Sequence, residues 1–169
     1  GWLLGTVGFI SGLVGALVGG ALANRLGRKR ALVVFGLLQA ASVAGYAYMV
    51  ASGPGLTAIY VLCAAEHLAG GMATVALFTC MMDWCSAEQA ASDYTVQASA
   101  VLIATGMATM LAGFSAQALG YAGHFGLATA LALGSVAVVL RCFPEQVHLS
   151  AARGLGFGFG ASRLGRALF

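Results

Sequence analysis

Two adjacent residues carry the most chemistry in this chain. Glu66 and His67 interrupt an otherwise uncharged apolar run from Leu56 to Met81, a carboxylate beside an imidazole, each able to bind and release a proton. They lie about ten residues into that run, roughly 15 Å along a helix that rises 1.5 Å per residue. In a bilayer this is near the midplane, where a carboxylate costs about 2.5–3.5 kcal/mol on insertion scales and so must face a cavity or a partner. Glu66 is therefore the first candidate for coupling protons or meeting a substrate, against the plainer role of a hydrogen-bonded structural carboxylate. His67 is about 100° farther round the helix. The two are thus expected to diverge, one toward a pathway and the other toward a neighbouring helix. Gly70, four residues after Glu66, shares its face and leaves room for a ligand or for close packing.

Further polar residues sit in apolar surroundings. Asp93 and Gln97 are four apart on one helical face. Ser92 or Asp93 can cap the start of that helix by accepting its free N–H groups, and an acid there complements the positive end of the helix dipole. Gln97, deeper in, is the better substrate candidate. Gln39, Thr74, Thr105 and Ser115 are weaker ones, since amides and hydroxyls often serve helix contacts in membranes. Cys63, Cys80, Cys85 and Cys142 form no CxxC pair and no metal-ligand spacing, and read as small apolar side chains.

The elements that must position these residues follow from composition. Of 169 residues, 60% are hydrophobic and 8% charged, with mean hydropathy +0.93; a soluble domain carries about 25% charged residues. Five apolar runs, residues 2–23, 31–51, 56–81, 94–119 and 124–142, are each long enough to cross about 30 Å of hydrocarbon as a helix. The breaks are a basic segment at 24–30, a Ser-Gly-Pro-Gly turn at 52–55, a polar segment at 82–92 and a short Gly-containing corner at 120–123. Within the polar segment, Ser86 to Gln89 can form a short interfacial helix beside Trp84. Residues 143–169 form a tail of mixed Arg and Gly-Phe character without a clean period.

Every Lys and Arg falls on one side of this arrangement: Arg25, Arg28, Lys29 and Arg30, then Arg141, Arg153, Arg163 and Arg166. The positive-inside rule makes residues 24–30, 82–92 and the tail cytoplasmic, with residue 1 starting outside. Trp2, Tyr46, Tyr48, Tyr60 and Tyr121 cluster toward the opposite ends, at headgroup level. In the first run Gly8, Gly12, Gly15 and Gly19 recur at spacings of three and four, the pattern that lets helix backbones approach closely.

The segment Gly20-Ala-Leu-Ala-Asn24-Arg25-Leu-Gly27-Arg28-Lys29-Arg30 resembles the loop motif of major facilitator transporters, G-x-x-x-(D/N)-R-x-G-R-(K/R)-(K/R). That motif stands between the second and third helices and, less strictly, between the eighth and ninth. In the family an acid at the position of Asn24 helps hold one closed state by charge interactions; here an amide stands there, as in the weaker second copy. The stretch from Gly70 to Gly123, above all Asp93-Tyr94-Thr95 with Gln97 and Ser115-Ala-Gln117 before Gly120-Tyr121, looks like the C-terminal half of bacterial siderophore permeases of the rhizobactin and pyochelin type, relatives of AmpG-like muropeptide permeases and acetyl-coenzyme A transporters.

The resemblance implies an all-α membrane protein with five transmembrane helices, a partial major facilitator fold matching helices eight to twelve; helices two to six would give the same orientation. It further implies proton-driven import of an iron-siderophore complex across the bacterial inner membrane, with a muropeptide or other small solute, or a non-transporting assembly subunit, as alternatives. The implied partners are the lipid bilayer, a small-molecule substrate and a missing N-terminal half; no cofactor, metal or nucleic acid is called for. No phosphate-binding G-x-x-x-x-G-K-(S/T), HExxH or nucleophile elbow is present, so a pump with its own ATPase or a membrane hydrolase has little support.

Overall fold

The computed structural model describes residues 2–53 and 55–143. Among the described residues all of the regular structure is helical. A π-helical turn, Leu3–Gly8, leads directly into α1, Phe9–Leu26. Then come α2, Arg28–Ser52, α3, Leu56–Asp83, and α4, Ala90–Cys142. Helices are the open-chain solution for an apolar segment, because each satisfies its backbone N–H and C=O groups internally where no water is available.

Among the described residues four helices are long and apolar enough to cross a membrane, where five spans were expected. The fourth and fifth expected spans share α4, whose 53 residues are broken by non-helical geometry at Gly120 alone (φ 69°, ψ 170°). A straight helix of that length would run to about 80 Å. It does not run straight: Ser115 Oγ lies 2.7 Å from His124 Nδ1, although nine residues of continuous helix would separate them by about 13.5 Å. The chain therefore folds back at Gly120, and the expected four-residue corner shrinks to one residue.

The other breaks are tighter than expected too. The basic segment 24–30 is helical except for Gly27, and the polar connector spans only 84–89, as turns rather than the short helix anticipated there. Among the described residues Gly27, Gly53 and Gly120 are the glycines with positive φ, and each stands at a reversal of the chain, a conformation that costs a residue with a Cβ much more than it costs glycine. Phe143 closes α4 with a bond from its N–H to the Val139 carbonyl; the rest of the expected tail, residues 144–169, lies outside the described residues.

Packing is set by the glycine face of α1. A Cβ added at Gly15 would overlap the Leu68 carbonyl, one at Gly71 the Gly12 carbonyl, and one at Gly19 would lie 2.6 Å from Met72 Cα. Thus α1 and α3 run parallel, backbone against backbone. Antiparallel α2 closes the other side of α3, with Ala23, Ala31, Phe35, Met72 and Ala76 buried together at one end. The last arm of α4 returns along α2, where Tyr46 stacks on Phe125 at 5.2 Å between ring centroids and Gly36 faces Val136. Large apolar side chains elsewhere point outward, including Leu102, Met110 and Phe114 on the first arm of α4.

Replacing Gly19 by Val is expected to destabilise the protein by about 1–3 kcal/mol, the usual range for overpacking a tight contact. Gly126→Ala, where nothing lies within 4 Å, is expected to be neutral or to stabilise by up to about 1 kcal/mol through helix propensity. Thermal unfolding of the purified protein in detergent measures both.

Candidate functional site

Glu66 and His67 sit in the middle third of α3 and Gln39 opposite them on α2. Gln39 Nε2 donates to Glu66 Oε1 at 2.8 Å. His67 Nδ1 is 2.8 Å from Glu66 Oε2 and 2.9 Å from the Cys63 carbonyl. Both of those partners are acceptors, so Nδ1 carries the proton. The carboxylate is held between two N–H donors, one from each of two helices. The expected divergence of Glu66 and His67 does not occur: each side chain is long enough to bend along the helix surface, and the 100° step is bridged.

Beside this pair lies a cavity of about 450 Å³, lined by Gly8, Phe9, Gly12, Glu66, His67, Gly70, Gly71 and Thr74 among others. It runs beside the tight α1–α3 contact, with Gly12 and Gly71 of that contact in its wall. Its rim includes the end of the π-helical turn, and a Cβ at Gly8 would come within 2.7 Å of His67 Cδ2 and Nε2. Glycine at position 8 is thus what admits the imidazole edge. At Gly70 a Cβ would stand 3.2 Å from Gln39 Oε1, so this glycine makes room for the amide. The sequence marked Gly70 for its place on the Glu66 face; nothing in the pattern marked Gly8 as the neighbour of His67, because the contact joins residues far apart in the chain.

Gln97 is placed elsewhere. Its Nε2 donates to the Met81 carbonyl at 3.3 Å and lies 3.6 Å from Cys85 Sγ, fifteen residues beyond Glu66 and so about 22 Å farther along α3. It ties the first arm of α4 to the end of α3. Of the weaker candidates, Thr74 lines the cavity, Thr105 bonds its own helix at the Val101 carbonyl, and Ser115 meets His124 at the Gly120 corner. The cap is also revised. Helix α4 begins at Ala90, ahead of Ser92 and Asp93, with no side-chain bond at its N-cap; Asp93 accepts instead from Ser86 N at 2.8 Å and Ser86 Oγ at 2.7 Å. It fastens the connector to the first turn of α4.

A second polar cluster stands at the loop motif. Arg28 Nε donates to Asp83 Oδ2 at 2.6 Å and its Nη1 to Asn24 Oδ1 at 3.2 Å, so the start of α2 joins the last turn of α1 to the end of α3. Asn24 does take part, as a neutral acceptor, while the negative charge comes from Asp83. That residue was not singled out in the sequence, although its position at the polar end of the third apolar run put it level with the basic segment. Gly20 faces Val75 across the α1–α3 contact, and Gly27 makes the reversal between α1 and α2. Arg25 and Lys29 have no side-chain hydrogen bond among the described residues. The same residues contain no cluster of side chains able to hold a metal ion. Cys63 and Cys80 are buried, Cys85 half-buried and Cys142 exposed, all as free thiols.

The chain matches the family model described as Major Facilitator Superfamily over residues 1–166. It is 31% identical to the anhydromuropeptide permease of Escherichia coli K12 over 137 residues, 81% of this chain and 28% of that protein. The putative transporter AmpG 4 of Rickettsia conorii is 26% identical over 133 residues, 79% of this chain and 32% of its own length. The putative transporter AmpG 1 of Rickettsia bellii is 23% identical over 142 residues, 82% and 35% respectively. The chain therefore spans about a third or less of the length of these curated relatives. No solved structure matches it significantly.

The Arg28 and Asp83 side chains are 21% and 34% exposed, so their attraction is screened and a double-mutant cycle on Arg28→Gln and Asp83→Asn should give a coupling of about 0.2–1 kcal/mol. Unfolding of the four proteins at low and at high salt measures it, and the coupling is expected to shrink as salt rises.

Proposed function

The chain belongs to the Major Facilitator Superfamily, and on that premise we propose that it forms part of a proton-coupled secondary transporter that carries a muropeptide or a related small solute across the bacterial inner membrane. The observation that carries the coupling role is Glu66, a carboxylate in the middle of a span, clasped by Gln39 and His67 at the edge of a cavity. A carboxylate so placed takes a proton when the cavity opens to one side and releases it when the cavity opens to the other, which links solute movement to a proton gradient.

The transporter architecture divides labour between halves that rock about a site near the midplane. In this reading the chain supplies one wall of that site, corresponding to helices eight to twelve, and the missing N-terminal half supplies the facing wall. The Arg28, Asn24 and Asp83 cluster lies at the cytoplasmic end, with 24–30 and 82–92 on that side, and ties three helices so that they move together. The substrate reading rests on the muropeptide permease and AmpG-named relatives. They favour the muropeptide alternative over the ferric siderophore that the 70–123 motifs first suggested.

The experiment is uptake by cells lacking their own carriers and expressing the full-length protein, offered radiolabelled anhydromuropeptide and, separately, an iron-labelled siderophore panel. Muropeptide accumulation is expected, abolished by a protonophore and reduced at least tenfold in Glu66→Gln, with that variant still inserted in the membrane. Full accumulation by Glu66→Gln overturns the coupling role. Siderophore uptake without muropeptide uptake overturns the substrate.

A further inference from the structure

Among the described residues one buried side-chain polar atom lacks a hydrogen-bond partner, Gln39 Oε1. Such atoms are uncommon in native proteins and call for a reason. The reason lies on the other side of the same amide. Gln39 Nε2 donates to Glu66 Oε1, and the second carboxylate oxygen faces the Nδ1 proton of His67. A proton added to Glu66 on the lone pair that faces either partner meets an N–H donor. On Oε2 the clash is relieved only if His67 gives up its Nδ1 proton, which the Cys63 carbonyl at 2.9 Å also requires. On Oε1 it is relieved by half a turn of the Gln39 amide about its terminal torsion, a broad and roughly two-fold rotation. That turn brings Gln39 Oε1 to the acid as an acceptor, and breaks no hydrogen bond at Oε1 because none is made there.

The surroundings allow this response. Because residue 70 is glycine no Cβ stands against Gln39 Oε1, where one would lie 3.2 Å away. The titratable groups around Glu66 are His67 and Cys63 on α3 and, on α2, Tyr46, which lies within electrostatic reach of both Cys63 and Glu66. From α1 the cavity receives only Gly, Ala, Phe and Leu side chains, so no charge from that helix competes for the acid proton.

Resting on the reading of Glu66 as the proton carrier, we propose that Gln39 is a positioning residue whose side-chain amide turns over when Glu66 is protonated, its orphaned oxygen being the acceptor reserved for the carboxylic acid O–H. The proton arrives from water in the cavity and forms one O–H bond at Glu66. The amide gains and loses no atoms. It exchanges one hydrogen bond to a carboxylate for one from an acid, and its NH₂ takes the place that Oε1 held beside Gly70, on the face where α2 and α3 meet.

The test is infrared difference spectroscopy across a pH titration of the full-length protein in lipid nanodiscs, with glutamine labelled by ¹³C at its side-chain carbonyl. The acid C=O band that Glu66→Gln removes marks protonation of Glu66. A labelled glutamine C=O band is expected to shift in step with it. That shift is expected to vanish both in Gln39→Asn, which keeps an amide at the position but not the label, and in Glu66→Gln, which keeps Gln39 but removes the proton. A Glu66 band accompanied by unmoving labelled bands overturns this inference alone. Absence of any Glu66 acid band overturns the proton-carrier reading, and this inference with it. The wild type and Glu66→Gln suffice for the decision if Gln39→Asn fails to accumulate.

Discussion

The contact between the backbones of α1 and α3 governs the arrangement of everything around it. In lipid no hydrophobic gain accompanies helix association, so two helices hold together by van der Waals contact and by what polar groups can share. Gly15, Gly19 and Gly71 leave no Cβ between the two backbones, which lets many atoms approach at once. The cavity runs beside this same contact, between Gly8 to Ala16 on one side and Glu66 to Val75 on the other. The position of Glu66 at its edge follows from the register of this contact, four residues before Gly70 and five before Gly71.

A mid-span carboxylate constrains its neighbours in turn. Each Glu66 oxygen has an N–H donor, from Gln39 on a second helix and His67 on its own, which answers the demand that buried charge be matched by hydrogen bonds. The oxygen of the Gln39 amide, by contrast, is buried without a hydrogen-bond partner.

At the opposite end of α3, Arg28 does a different kind of work. Its ion pair with Asp83 is partly exposed and adds little stability by itself, yet it connects the starts and ends of three helices through one guanidinium fork. Where the family motif has an acid in the loop, this chain has Asn24 as a neutral acceptor and draws its negative charge from Asp83, one helix away. The Arg28 guanidinium thus meets an amide on α1 and a carboxylate on α3.

By itself the sequence determined the membrane class, the helical character and the polarity of the ends, since those depend on composition and on runs of residues near one another in the chain. It also singled out Glu66, His67, Gly70 and the loop motif, because a charge inside an apolar run and an ordered set of glycines and arginines are local signals. Only the tertiary structure decided that Gln39 meets Glu66, that Gly8 admits His67, that Asp83 answers Arg28 and that Gln97 serves a helix contact far from the cavity. Each joins residues from different elements, or depends on which way a long side chain bends, and neither periodicity nor spacing encodes that. The sharp corner between the last two spans at Gly120 has the same origin. The glycine permits a one-residue reversal, but the packing of the last arm against α2 is what brings Ser115 and His124 together.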